Sequence, residues 1–192
     1  MTLAPWRSPL AHALHRNRSL VYARYFQLAT VCAEGRPANR TVVFRGFLDD
    51  TNQLKMITDA RSKKAEQIDQ NAWSEACWYF PKTREQFRLL GQLTLVGEHC
   101  SDASLLKARE RSWQELSDAA RVQFAWSPPG APREDTGFDA PPPDPATPRS
   151  NFCLLLLDST HVDHLELRGD PQNRSIYSFT DAIGWSMHAV NP

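Results

Sequence analysis

The sequence predicts a mainly β protein, an antiparallel barrel of six or seven strands with helices at its periphery. Three observations point there. Segments rich in β-branched and aromatic residues recur in pairs around turn-forming residues: FQLATV and RTVVFRGFL flank AEGRPAN, and EACWYF and QFRLLGQLTLVGE flank PKTRE. Helical patterning is confined to a few places, whereas a doubly wound parallel sheet needs a helix between most strand pairs. Finally, 192 residues at 41% hydrophobic and 23% charged are enough for one core, so one domain is expected over 1–192.

The chain opens on a short amphipathic helix within Trp6 to Arg18. Trp6, Leu10 and Leu14 recur every four residues, and Pro9 sits in the first turn, so the helix is expected to cover a sheet edge. The first hairpin follows. A third strand, LKMIT, then feeds a helix between Asp59 and Asn71 with a serine at its N-cap. After the second hairpin, Asp102 or Ser101 caps a long helix, or a pair, with Leu105, Leu106, Trp113 and Leu116 as its apolar stripe. Eight of the fourteen prolines fall between Pro128 and Pro148, which rules out a helix there and predicts a long loop, a lid or a disordered stretch. NFCLLLLDSTHVDHLEL, NRSIYSFTD and IGWSMHAVNP close the chain as strands.

Charge narrows the function. With 22 basic and 22 acidic residues no broad positive field exists, which argues against nucleic acid and anionic membrane as partners. No run approaches the roughly 18 apolar residues of a membrane helix, so a cytoplasmic protein is expected. Cys32, Cys77, Cys100 and Cys153 are irregularly spaced with no CxxC pair, and are read as reduced thiols. The HxxH pairs at His12/His15 and His161/His164 do not predict a metal site; the second lies in a strand, where that spacing sends the rings to opposite faces.

The chemistry-bearing constellation is Arg40 to Arg45, then Thr58, Asp59, Ser62, Lys63 and Lys64, and later Gln86. On one strand, positions 40 and 45 face opposite sides, so the two arginines could serve different groups or simply guard a strand edge. A serine and two lysines at a helix start offer a hydroxyl, backbone N–H groups and two cations, which suits a phosphate dianion. The lysines could equally be solvated surface charges.

Taken in order, these motifs resemble the pyridoxamine 5′-phosphate oxidase family, the FMN-binding split barrels. RTVVFR at 40–45 is similar to the family's first flavin motif, MITDARSKKAEQI to its phosphate-holding strand, turn and helix start, and REQFRLLGQLTLV to its next strand. NRSIY and GWSMHAVNP are similar to its closing segment. The resemblance implies an FMN cofactor and a homodimer with each site built across the interface. Arg40, Thr58, Lys63 and Lys64 would bind the phosphate, with Ser62 starting the helix beneath it. Thr41, Val42 and Val43 belong to the flavin-binding strand, the two valines offering backbone groups to the ring edge, and Gln86 would bond the flavin from a neighbouring strand. Arg45 would contact both cofactor and substrate, and Arg174 with Arg45 would position an anionic substrate for hydride transfer.

The departures bear on the substrate. Arg45 stands where the family has lysine, replacing a compact ammonium with a planar fork. The family's substrate-phosphate helix positions would fall near Trp113, Ser117 and Arg121, none of the expected type; Arg121 leaves a shifted anion site or a plain surface helix open. Ile176 replaces the histidine two residues after Arg174, and Ser178 a second arginine. Two readings result: an oxidase acting on a small, possibly phosphorylated substrate, or a flavin-binding redox carrier or sensor without oxidase activity.

Overall fold

The computed structural model describes residues 3–192. After the first helix, α1 (Arg7–Asn17), the hairpin β1 (Tyr25–Val31) and β2 (Pro37–Val43) is followed by β3 (Leu54–Asp59) and α2 (Lys63–Gln70). The hairpin β4 (Trp73–Phe80) and β5 (Glu85–Val96) leads into α3 (Ala103–Gln114) and α4 (Asp118–Arg121). The strands β6 (Phe152–Glu166), β7 (Asn173–Thr180) and β8 (Gly184–Val190) complete the chain. All eight strands join one antiparallel sheet in the order β2-β1-β4-β5-β6-β7-β8, with β3 on β6. The count exceeds the expected six or seven because both segments of the C-terminal pair form full strands.

The length of β6 explains the topology. Its first half pairs with β3 and its second half with β7, while β5 runs along its other edge. A bulge at Leu90/Gly91 marks the change. A Cβ on Gly91 would sit 1.9 Å from the Asp158 carbonyl oxygen, so only glycine permits this approach. The chain leaving β2 reaches β3 through Arg45 N–H to Lys55 O and Lys55 N–H to Gly46 O, both 2.8 Å, but the sheet stays open between β2 and β3. This is a split barrel.

Burial alternates along β1, β3 and β4, as expected of strands with one face on the core. FCLLLL at the start of β6 is buried on both faces. Leu155 and Leu157 enter the barrel core, whereas Leu154 and Leu156 pack outward with Val96 against Leu105 and Ala108 of α3. The first helix does more than cover an edge: Trp6 and Leu10 are completely buried, and Trp6 meets Trp185 edge-on at 6.0 Å. No described helix is long and apolar enough to cross a membrane, and all four cysteines are free.

Candidate functional site

Ser62 organises the first wall of the site. Its extended backbone ends the turn after β3, and its Oγ accepts from Ala65 N–H at the start of α2, satisfying one of the helix's free donors. Thr58, buried at the end of β3, lies with its Oγ1 3.3 Å from Ser62 Oγ and accepts from the Lys64 ammonium. Burial, followed by the nearby Arg40 charge, pulls Lys64 down to about 8, with Asp59 and Cys153 opposing. A hydroxyl pair, an ammonium whose pKa is drawn down and a helix N-terminus thus converge, and the nearby Asp59 carboxylate is engaged by Arg61 and Asn151.

Lys64, Ser62 and Thr58 line a cavity of about 650 Å³ that Val43 and Arg45 border on one side. Arg45 lies two residues past the end of β2, so it is not the strand residue its spacing from Arg40 suggested. Its Nε is buried with no hydrogen-bond partner, a condition costing about 1–3 kcal/mol until an acceptor arrives. Arg40 faces α2: its guanidinium donates to Leu28 O, Thr30 Oγ1 and Gln67 Oε1 at 3.1, 2.6 and 3.0 Å. It therefore braces the helix and contributes charge to Lys64 from outside the cavity.

The other predicted positions are dispersed. Val42 is buried in the barrel, Thr41 is exposed on the outer face, and Lys63 is exposed on α2. Gln86 lies on the outer face of β5, and Arg174 grips Asp163 through 3.0 and 2.7 Å bonds. That outer face is continuous: Thr41, Gln27, Cys77, Arg88, Asp163, Ile176 and His188 form one cross-strand row. A single chain joins Val43, Arg45, Thr58, Ser62 and Lys64; Gln86 and Arg174 do not line the cavity.

Arg121 is neither an anion site nor a surface residue. It is buried, and donates to Leu116 O, Trp113 O and Asp118, closing the end of α3. His161 and His164 do face opposite ways: His161 lies 3.1 Å from Ser178, while His164 stacks on Phe87 at 4.0 Å and bonds Glu85.

The second wall includes part of the stretch that the sequence left open between a lid and a disordered loop. Residues from Ala120 to Phe138 line the same cavity, including Trp126, Arg133 and Phe138 of the Pro-rich region. Both ends of this segment are tied to one turn. Asp59 accepts from Arg61 and Asn151, Arg61 donates to Trp126 O at 3.1 Å, and Asn151 donates to Phe124 O at 3.0 Å. Burial alone would raise the Asp59 carboxyl, but those hydrogen bonds outweigh it and hold the group below the usual carboxylate range. Further along, Trp113 Nε1 donates to Asp144 O at 2.9 Å.

A family model described as the pyridoxamine 5′-phosphate oxidase, FMN-binding domain matches residues 3–97, the region that supplies the first wall. Pyridoxine/pyridoxamine 5′-phosphate oxidase 2 of Arabidopsis thaliana is 36% identical, over 99% of this chain and 98% of the relative. The chain belongs to the pyridoxamine 5′-phosphate oxidase family. A crystal structure of a pyridoxamine 5′-phosphate oxidase-related, FMN-binding protein from Nostoc punctiforme is 64% identical, covers 100% of both chains and superposes with a TM-score of 0.97. Dihydrophenazinedicarboxylate synthase of Pseudomonas chlororaphis is 26% identical over 88% of this chain and 75% of the relative. FMN is the cofactor of the matched domain, and the first wall fits its phosphate: Lys64, Ser62, Thr58 and the α2 N-terminus present donors to a dianion.

Proposed function

We propose that this protein is an FMN-dependent oxidoreductase that takes a hydride from a small anionic substrate, in the manner of pyridoxamine 5′-phosphate oxidation. The carrying observation is the Lys64 ammonium with the Thr58 and Ser62 hydroxyls lining a cavity of about 650 Å³ together with Arg45, whose Nε has no partner. Bound flavin would accept the hydride and pass electrons to dioxygen or another acceptor. The protein's part is to hold the phosphate at Lys64 and the α2 N-terminus, aim the substrate with Arg45, and exclude water with the Pro-rich segment.

The active unit is a homodimer with each site completed across the interface. The outer sheet face supports this: it holds Gln86 and Arg174, which one chain leaves apart from the cavity, and it exposes Tyr25, Trp73 and Tyr79. Arg174, presented by a second copy, would meet substrate. A redox carrier or sensor is the second reading, favoured by Ile176 on the row beside Arg174 and by the Asp163 pairing that already occupies Arg174.

Purified protein should be yellow and should release about one FMN per chain, as found by absorption and chromatography. With pyridoxamine 5′-phosphate, peroxide and aldehyde production supports the oxidase. Flavin without turnover on this and related amines or alcohols favours the carrier, and a protein that takes up no FMN refutes both.

A further inference from the structure

We infer that Glu85, His164 and Glu166 form a divalent-metal site on β5 and β6, with the mixed imidazole and carboxylate donor set that suits Zn²⁺. None of the three lines the flavin cavity, and the inference does not depend on the oxidoreductase reading.

The register of β5 on β6 builds the cluster. Glu85 lies directly opposite Glu166, and Phe87 opposite His164, so these side chains leave the same face of the two strands. One ligand atom from each of Glu85, His164 and Glu166 lies within 4.8 Å of the other two, and no other such group of three occurs among the described residues. Ligands at about 2.0–2.1 Å from a tetrahedral zinc stand about 3.3 Å apart, so closing the three onto one ion asks each atom to move by about 1 Å.

Charge and rigidity separate this cluster from a chance meeting of acids. Carboxylates directly opposite each other on neighbouring strands repel, and here both residues are half-buried. Neither forms an ion pair with a lysine or arginine among the described residues; Arg16 acts on Glu85 only at longer range. The one close partner is His164, whose Nε2 lies 2.9 Å from Glu85 Oε2. Even protonated it brings a single positive charge to two carboxylates, where a divalent ion brings two. The imidazole is 5% exposed and stacks on Phe87 at 4.0 Å, so its direction is set before any ion arrives. Glu85 is also supported from behind: the Thr83 hydroxyl donates to its carboxylate, and Thr83 Oγ1 accepts from Asn17 Nδ2 of α1 at 3.1 Å. Metal ligands are characteristically held by such outer partners. The imidazole also selects the ion, since Ca²⁺ and Mg²⁺ favour oxygen donors throughout, whereas Zn²⁺ accepts nitrogen and oxygen together. His161 takes no part, so the HxxH spacing is not what makes the site.

The placement gives the ion a task. Leu165, between two of the ligands, pairs with both Gln86 and Arg174. A bound ion would pin the stretch of β5 and β6 on whose opposite face those two residues stand.

The test takes the full chain as purified, removes metal with EDTA, and titrates Zn²⁺ by isothermal calorimetry in phosphate-free buffer. About one Zn²⁺ per chain should bind at this site, and excess Ca²⁺ or Mg²⁺ should not displace it. Glu166→Gln, which keeps the side chain's shape, and His164→Asn should each weaken that ion by more than about tenfold. Thr83→Val, which removes no ligand, should weaken it by about tenfold. Zn²⁺ should raise the unfolding midpoint of wild type and leave that of Glu166→Gln unchanged. No Zn²⁺ uptake by wild type overturns the inference and leaves His164 and Glu85 as an ion pair only. Uptake by Glu166→Gln equal to wild type also overturns it, by placing the zinc on other surface ligands.

Discussion

Lys64 ties cofactor affinity to pH. Its ammonium, buried against Arg40 and drawn down to about 8, must be charged to hold a phosphate dianion. Below that value the free protein already carries the proton; above it, binding must take one up, so affinity for FMN should fall by up to about tenfold per pH unit. Riboflavin, lacking the phosphate, should bind without this slope, and Lys64→Met should flatten the FMN profile; equal slopes for both ligands would exclude Lys64 as the cause. Stability of the flavin-free chain moves the other way. Between about 8 and the ordinary lysine value of 10.5 the unfolded chain binds the extra proton, so the burial penalty, complete below 8, is relieved as pH rises through that window. Arg174 makes a separate prediction: Arg174→Ala should keep flavin and lose turnover, because Arg174 pairs with Asp163 on the outer face and does not line the cavity that holds the phosphate donors. Full turnover in that variant would remove it from catalysis.

At the scale of elements, the turn after β3 carries two tasks, starting α2 and anchoring the Pro-rich segment. Asn151→Ala removes both of its bonds, to Asp59 and to Phe124 O, at a cost of about 1–3 kcal/mol. Limited proteolysis should then cut between Pro128 and Pro148 faster than in wild type, while β-sheet circular dichroism is unchanged; an unaltered cleavage rate would mean the anchor is elsewhere. Gly91→Ala attacks a different element. With Asp158 O 1.9 Å from the new methyl, the β5–β6 bulge must shift, and a loss of about 1–3 kcal/mol in thermal or denaturant unfolding follows. These elements differ in how far sequence reveals them. Ser62 and Lys64 are legible because an N-cap and the cations that follow it are local signals, decided within one turn of helix. Hairpins and the Asp102 cap are legible for the same reason. Arg45 and Trp126 are not, because their place around one cavity is set by tertiary packing between segments distant in sequence, and composition shows the Pro-rich stretch only as something that cannot fold alone. Arg121 misleads for a related reason: a cation in a helical pattern reads as surface until the end of α3 is seen to need its donors.

For the whole molecule, the outer sheet face is the feature that matters. Tyr25 at 42%, Trp73 at 45% and Tyr79 at 45% exposure stand on the same side as Gln86 and Arg174, and the homodimer proposed above would cover this surface. Tyr79→Glu should shift the protein toward monomer in sedimentation analysis and weaken FMN together with it. A monomeric variant that binds FMN as wild type does would show that one chain makes a complete cofactor site. The pinning of both ends of the Pro-rich segment at Asp59 has its own outcome for how this protein can change. Because the segment is held at its two ends and at Asp144, residues can be inserted or removed between those anchors at an entropic cost that grows only logarithmically with length. The segment can therefore change length on either side of Asp144 while the barrel and its phosphate donors stay as they are.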